Sequence, residues 1–310
     1  MYCVFLPIDG GGASRWQDRL EGSVSEREPL SHHTTYRVGG PAKYFVVPAN
    51  AEDVREVFAC GEDVFVMGGG SNLLASDAGY DGVVLKIFGT LGHLSVMGDE
   101  VVVGAGRSLP SLVRSCAEMG LSGMEWAVGV PGTIGGASRT NAGAFGAATW
   151  ELIEYVDVVV ADGSVVRLGP GDVEYDYRST RFPVPEPFAV TEVALRLAPS
   201  EVARVEGLTK EYKARRAERQ PIGEASAGSV FKNPPEGPPA GALIDKAGFK
   251  GSTRGDAAVS TKHANFIVNE GGANAADIYD LIGEIREGVK RRFDVTLELE
   301  IQLVGDFGRG

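Results

Sequence analysis

The stretch Ser226-Ala227-Gly228-Ser229-Val230-Phe231-Lys232-Asn233-Pro234 places two hydroxyls, an ammonium and a carboxamide within nine residues. The small residues between them let a backbone approach a ligand closely. A basic segment over 210–219 precedes it and a Pro/Gly loop over 234–239 follows. A Ser-Gly-Ser triplet alone is common turn chemistry, so a surface turn is the competing reading. A second candidate is Gly68-Gly69-Gly70-Ser71-Asn72, directly after a short apolar run. Its three glycines leave backbone N–H groups unobstructed, and Ser71 and Asn72 add side-chain donors, which suits a phosphate cradle. It does not fit G-x-G-x-x-G and no P-loop lysine follows, so an ordinary tight turn stays open.

The elements that would hold these residues follow from pattern and punctuation. Strands are predicted over 43–47, 64–67, 83–87 and 101–103, with a helix over 52–60 capped by Asn50 and another over 109–119 with Pro110 in its first turn. The glycine-dense region 129–146 carries Val130, Ile134 and Phe145, which favours an ordered loop packed on a flat surface over a polar lid. Strands over 153–160 and 165–168 flank Asp162-Gly163, a strong hairpin signal, and a strand over 188–197 closes this half. Pro199-Ser200 reads as the linker, opening a helix over 201–219. A smaller α/β unit follows, with helices over 241–247 and 274–292 and strands over 257–260, 266–268 and 295–304. Residues 1–30 show no sustained period and are expected to be a flexible extension, leaving domains over 31–199 and 200–310.

Composition narrows the classes. A formal net charge of −12 over 310 residues argues against non-specific nucleic-acid binding, which depends on Lys and Arg neutralising phosphates. No apolar run approaches the roughly 20 residues of a membrane helix, and the apolar start at Met1 lacks a basic leader, so a cytoplasmic protein without membrane insertion is expected. The three cysteines and four histidines have neither disulfide-framework nor metal-ligand spacing, so no metal is expected. Glycine, at 43 residues, is about twice its usual share without a repeat, which points to tight turns and close backbone approaches.

Eight fragments occur in a telling order: Thr35-Tyr36-Arg37-Val38-Gly39-Gly40-Pro41, Gly68-Gly69-Gly70-Ser71-Asn72-Leu73-Leu74, Gly129-Val130-Pro131-Gly132-Thr133-Ile134-Gly135-Gly136, Asn141-Ala142-Gly143-Ala144-Phe145-Gly146, Tyr177-Arg178, Gly228-Ser229-Val230-Phe231-Lys232-Asn233-Pro234, Lys262-His263-Ala264-Asn265-Phe266-Ile267-Val268-Asn269 and Leu297-Glu298-Leu299-Glu300-Ile301. In this order, over roughly residues 33–305, the chain resembles the UDP-N-acetylenolpyruvoylglucosamine reductase (MurB) family of flavoproteins. The short interval between Arg178 and Ser229 is similar to that of its type II branch.

The resemblance implies an α+β protein with an FAD-binding domain of the PCMH, or vanillyl-alcohol-oxidase, type in two α/β subdomains, and a smaller C-terminal α/β substrate-binding domain. It implies NADPH-dependent reduction of UDP-N-acetyl-3-O-(1-carboxyvinyl)-glucosamine to UDP-N-acetylmuramate in peptidoglycan precursor synthesis. Ser229 would be the proton donor to C2, Arg178 the clamp on the substrate carboxylate and Glu300 the stabiliser of the enol, with Glu298, two residues away, as the alternative. Lys213, Arg215, Arg216 and Arg219 would meet the UDP diphosphate, although Glu211 and Glu218 among them also fit a solvated helix face. Lys232 would support Ser229, Asn233 would contact the nucleotide-sugar, and His263 reads as structural. Gly68, Gly69, Gly70, Ser71 and Asn72 would hold the FAD pyrophosphate, and Thr133, Ile134, Gly135 and Gly136 would lie along the isoalloxazine, with Asn141 and Arg37 as further contacts. The partners expected are the UDP-sugar and NADPH, with a monomer as the unit. A PCMH-type flavin oxidase and a non-catalytic UDP-sugar-binding paralogue are the competing readings; Arg139, in a motif position where relatives carry larger apolar residues, favours the latter.

Overall fold

The computed structural model of the chain describes residues 15–308. The first unit is a four-stranded sheet in the order Ser23–Pro29, Pro41–Val47, Tyr80–Lys86 and Val64–Met67. The first pair is antiparallel and the other two are parallel. The helix Ala51–Phe58 starts where expected, because the Asn50 side chain accepts the Asp53 N–H. Its Val54 and Val57 enter one buried cluster with Val156 and Val158 of the second unit, so the two sheets share a core.

The second unit is an antiparallel five-stranded sheet in the order Val165–Leu168, Ile153–Val160, Phe188–Arg196, Glu100–Gly104 and Leu94–Met97. The helix Leu109–Glu118 is capped by Ser108 with Pro110 in its first turn. The linker helix Val202–Arg219 packs back on this unit, where Val205 is buried.

The third unit has its own core. Ile278, Leu281, Ile282, Ile285 and Val289 form one face of the helix Ala275–Phe293, and all are at most 2% exposed. Each such side chain contributes roughly 1.5–3 kcal/mol by leaving water. The helix Ala240–Ala247 and the three-stranded sheet Thr253–Arg254, Ala257–Val259 and Ile267–Asn269 pack around it, together with Tyr36 and Leu74 from the first unit.

Three expectations are corrected. Residues 1–14 lie outside the described residues, but Ser23–Pro29 is an ordered edge strand, so the flexible extension does not reach residue 30. Its alternating polar sequence suits an edge with one solvated face, which hid it from a periodicity reading. The glycine region contains the helix Ile134–Thr140, made possible by Thr133, whose hydroxyl accepts the Gly136 N–H. The last strand is only Gln302–Val304, and it leaves the third unit to pair in parallel with Leu73–Ala75 of the first.

Asp53 ties the start of the described chain to this frame. It is 2% exposed and accepts from the N–H groups of Glu21 (2.9 Å), Gly22 (2.8 Å) and Ala49 (2.7 Å). Asp53→Ala would leave three donors unpaired, and the expected cost is about 3 kcal/mol, read as a lowered urea midpoint with an unchanged slope. An unchanged midpoint would show that residues 21 and 22 are held by something else.

Candidate active site

The three units meet around a cleft of about 1270 Å³. One wall is the segment 229–233, which is gripped on both edges. On one side, Val230 N–H donates to the Asn265 carbonyl (2.9 Å), while the Asn265 side chain accepts from Phe231 N–H (3.0 Å) and donates to its carbonyl (2.8 Å). On the other side, Glu300 N–H donates to the Val230 carbonyl (2.8 Å) and Lys232 N–H to that of Glu298 (2.9 Å). Gly228, at φ 77°, makes the turn that brings Ser229 to the cleft.

Opposite stands Arg178, in the turn between the strands Glu174–Asp176 and Ser179–Arg181. Its φ of 51° is uncommon for a residue with a Cβ and is held by three contacts of the guanidinium. These go to Glu300 Oε1 (3.0 Å), the Gly143 carbonyl and the Asn141 carbonyl (3.5 Å). Both Arg178 and Glu300 side chains are 19% exposed, which strengthens their attraction over that of a surface pair. Burial nevertheless raises the Glu300 carboxyl above its ordinary value, with Arg178 and then Lys232 pulling the other way. The site thus holds a buried carboxyl, raised by desolvation, beside a permanent cation.

The floor between them is glycine. A Cβ on Gly69 would stand 2.8 Å from Gly132 Cα, and one on Gly70, at φ 65°, would stand 2.0 Å from the His33 carbonyl oxygen. Ser71 Oγ donates to the Pro131 carbonyl (3.2 Å), closing residues 68–72 against 131–133. Asn72 Nδ2 donates to the Glu300 carbonyl (3.1 Å), so the cradle and the carboxyl are physically joined.

The structure sorts the sequence candidates. Ser229, Arg178, Glu300, Asn233, Gly68, Gly69, Gly70, Ser71, Asn72, Thr133, Gly135, Gly136, Arg216 and Arg219 all line the cleft. Glu298 is exposed and offers only its carbonyl to Lys232, which places Glu300 at the site. Ile134 is fully buried in the core beneath the helix it starts. Asn141 donates its side-chain amide to the Asp176 carbonyl and accepts the Trp150 N–H, while its left-handed backbone ends the helix Ile134–Thr140. Arg37 is exposed and away from the cleft lining, as are Lys213 and Arg215, the last paired with Glu211 at 3.6 Å. Lys232 does not line the cleft and reaches Glu300 only through its charge.

Arg216 is the opposite case. It is 8% exposed, its Nη1 and Nη2 donate to Gln220 Oε1 and the Trp126 carbonyl, and its Nε has no partner. Burial beside Arg178 lowers its pKa, the signature of a cation lacking a counter-ion. Sequence reasoning missed Asn265 as the residue that shapes the Ser229 segment; the only signal was its place in the Lys262–Asn269 motif. His263 sits beside it with Nδ1 accepting the Asn265 N–H (3.3 Å), a structural placement.

Comparison with known proteins agrees with this geometry. Residues 42–169 match the model of an FAD binding domain, and residues 220–304 match the UDP-N-acetylenolpyruvoylglucosamine reductase C-terminal domain. The chain is 43% identical over 291 residues to UDP-N-acetylenolpyruvoylglucosamine reductase 2 of Symbiobacterium thermophilum, covering 93% of this chain and 94% of that protein. It is 36% identical to the reductase of Bacillus subtilis over 297 residues, covering 93% and 96%. The crystal structure of the reductase (MurB) from Thermus caldophilus superposes with a TM-score of 0.81 at 36% identity, covering 92% of this chain and all of that one. With the glycine cradle, the Arg178–Glu300 pair and Ser229 in one cleft, the chain belongs to the UDP-N-acetylenolpyruvoylglucosamine reductase family, as an FAD-dependent oxidoreductase.

Proposed function

We propose that the chain reduces the enolpyruvyl group of UDP-N-acetyl-3-O-(1-carboxyvinyl)-glucosamine to the lactyl ether of UDP-N-acetylmuramate, with NADPH as reductant. The observation that carries this is that the Arg178–Glu300 pair and Ser229 line one cleft. FAD fits: the glycine loop 68–72 packs on 131–133, both line the cleft with little side-chain bulk, and the cleft exceeds the roughly 300–1,000 Å³ of ordinary small-molecule sites. When bound, FAD takes a hydride from the nicotinamide and supplies it to C3 of the enolpyruvyl group.

The residues manage the charge that this leaves on the substrate. Negative charge spreads from C2 onto the substrate carboxylate, and Arg178 offers it a planar fork that a lysine could not match. Glu300, held beside Arg178 with its carboxyl raised above the ordinary value by burial, stabilises the enol. Ser229 then gives its hydroxyl proton to C2: the O–H bond breaks as the C2–H bond forms. Arg216, a buried cation without a carboxylate partner among the described residues, and Arg219 receive the diphosphate, with Asn233 at the nucleotide-sugar. In this reading residues 31–199 hold the cofactor and lend Arg178 to the substrate, residues 200–310 hold the rest of the substrate, and the linker helix docks with the first group while supplying Arg216 to the second. The protein works as a monomer in the cytoplasm. Among the described residues no helix is long and apolar enough to cross a membrane.

Stopped-flow spectroscopy tests the reading. NADPH should bleach the flavin, and anaerobic addition of the enolpyruvyl UDP-sugar should restore its absorbance. Reoxidation by oxygen alone would replace the reductase with an oxidase, and a colourless protein would favour a non-catalytic binder. Ser229→Ala should keep the first phase and slow the second by about 10²–10⁴-fold; equal slowing of both would reduce the serine to a structural role.

Glu300 also predicts a pH effect on stability. Its folded pKa is above the unfolded value of about 4.5, so its protonated form favours the fold. That contribution is complete below about pH 4.5 and is lost as pH rises through the raised value. The melting temperature of Glu300→Gln relative to the parent should therefore climb with pH across this window, and a flat difference would contradict the assignment. Gly70→Ala, strained in backbone and blocked by His33, should yield protein with a sharply lower flavin-to-protein absorbance ratio.

A further inference from the structure

Tyr177 has no part in the chemistry above. It stands beside Arg178 in the turn between the strands Glu174–Asp176 and Ser179–Arg181, and its hydroxyl accepts from Asn233 Nδ2 at 3.1 Å. Asn233 belongs to the wall that carries Ser229, and it lines the cleft while Tyr177 does not. Consecutive residues of one turn thus bond to the third unit, Tyr177 to Asn233 and Arg178 to Glu300.

The backbone clamp on that wall ends at Lys232, whose N–H donates to the Glu298 carbonyl. Beyond it, the Asn233 side chain takes over. Its Oδ1 accepts the Ala240 N–H at 3.0 Å, at the start of the helix Ala240–Ala247. A backbone N–H can only donate, so the carboxamide oxygen must face Ala240 and the nitrogen is left to face Tyr177. That nitrogen carries two hydrogens; the Tyr177 hydroxyl takes one, and the other is uncommitted. With its oxygen alone held, the carboxamide could still swing about that bond. The phenol stops the swing. Its own place is fixed by the Arg178 guanidinium carbon, 4.9 Å from the ring centre, and by the Tyr177 N–H, which donates to Asp176 Oδ1 at 2.7 Å.

We infer that Tyr177 is a positioning residue for the UDP-sugar: its hydroxyl holds the Asn233 carboxamide in the orientation that meets the ligand. Because Tyr177 lies off the cleft wall, it reaches the ligand only through Asn233. At 47% exposure its bond competes with water and adds little to the free protein. The contribution appears on binding, when a carboxamide already fixed loses less side-chain freedom than one that must first be ordered.

The inference rests on the UDP-sugar as substrate. Affinity of the oxidised holoenzyme for the enolpyruvyl UDP-sugar is measured by calorimetry, and KM and kcat by steady-state turnover with NADPH. Tyr177→Phe keeps the ring beside Arg178 and the bond between Asn233 and Ala240, and removes only the acceptor. It should weaken binding and raise KM by about fivefold, with kcat and the melting temperature unchanged. In an Asn233→Ala background the same substitution should add nothing, since the group through which it acts is gone. An unchanged affinity in Tyr177→Phe, a fall in kcat without a rise in KM, or an equal loss in the Asn233→Ala background would each overturn the inference. The single variant decides the matter even where Asn233→Ala lowers the yield of folded protein. A parent protein that binds no UDP-sugar would refute the substrate reading and the inference with it, whereas a parent that binds and a Tyr177→Phe variant that binds equally well would refute the inference alone.

Discussion

The ion pair between Arg178 and Glu300 joins residues 122 positions apart, one from a hairpin of the second unit and the other from the end of the third. Two charges at 19% exposure gain little net stability, because desolvation offsets much of their attraction. What the pair secures is placement. It holds the hairpin turn at an unfavourable backbone angle, and Arg178, through the Asn141 and Gly143 carbonyls, ties that turn to the residues that follow the helix Ile134–Thr140. Loss of either partner would leave the other charge buried alone, so site geometry and local stability depend on the same contact.

A second feature works by the opposite logic. Arg216 is buried with no carboxylate to meet it, next to another arginine, while Lys213 and Arg215 on the same helix face water. Around it Phe145 stacks on Tyr212 at 4.7 Å, with both Arg215 and Arg216 within 6 Å of the Phe145 ring. The linker helix is thereby fastened to the turn between the strands Gly143–Ala144 and Ala147–Ala148, and an anion arriving at Arg216 would offset the cost of its unpaired burial.

How much could be read beforehand depended on whether the signal was local. Asn50, Pro110 and Asp162-Gly163 act on neighbouring backbone, and the elements they announce are present. The strand Ser23–Pro29 has no apolar face, and its pairing depends on a partner further along the chain. The helix Ile134–Thr140 contains two glycines, and its support comes from Thr133 and from packing on Ala105. Within the site, Ser229, Arg178 and Glu300 were recognisable only through the order of the motifs around them. Which basic residue of the linker helix turns inward was not, since helical spacing alone cannot orient a helix that carries charge on every side. Asn265 was hidden for a related reason: its work is to imitate a neighbouring strand, a role visible only when both partners are placed.

The last strand, Gln302–Val304, also bears on the cradle. It pairs with Leu73–Ala75, directly after the glycine cradle, while Gln302 N–H donates to the Asn72 carbonyl and Ser76 N–H to that of Val304. The cradle and the segment that completes its flank are distant in sequence: Asn72 and Glu300, which it bonds, stand 228 positions apart. Without Gln302–Val304 the edge of Leu73–Ala75 would stand unpaired directly beside the glycine cradle.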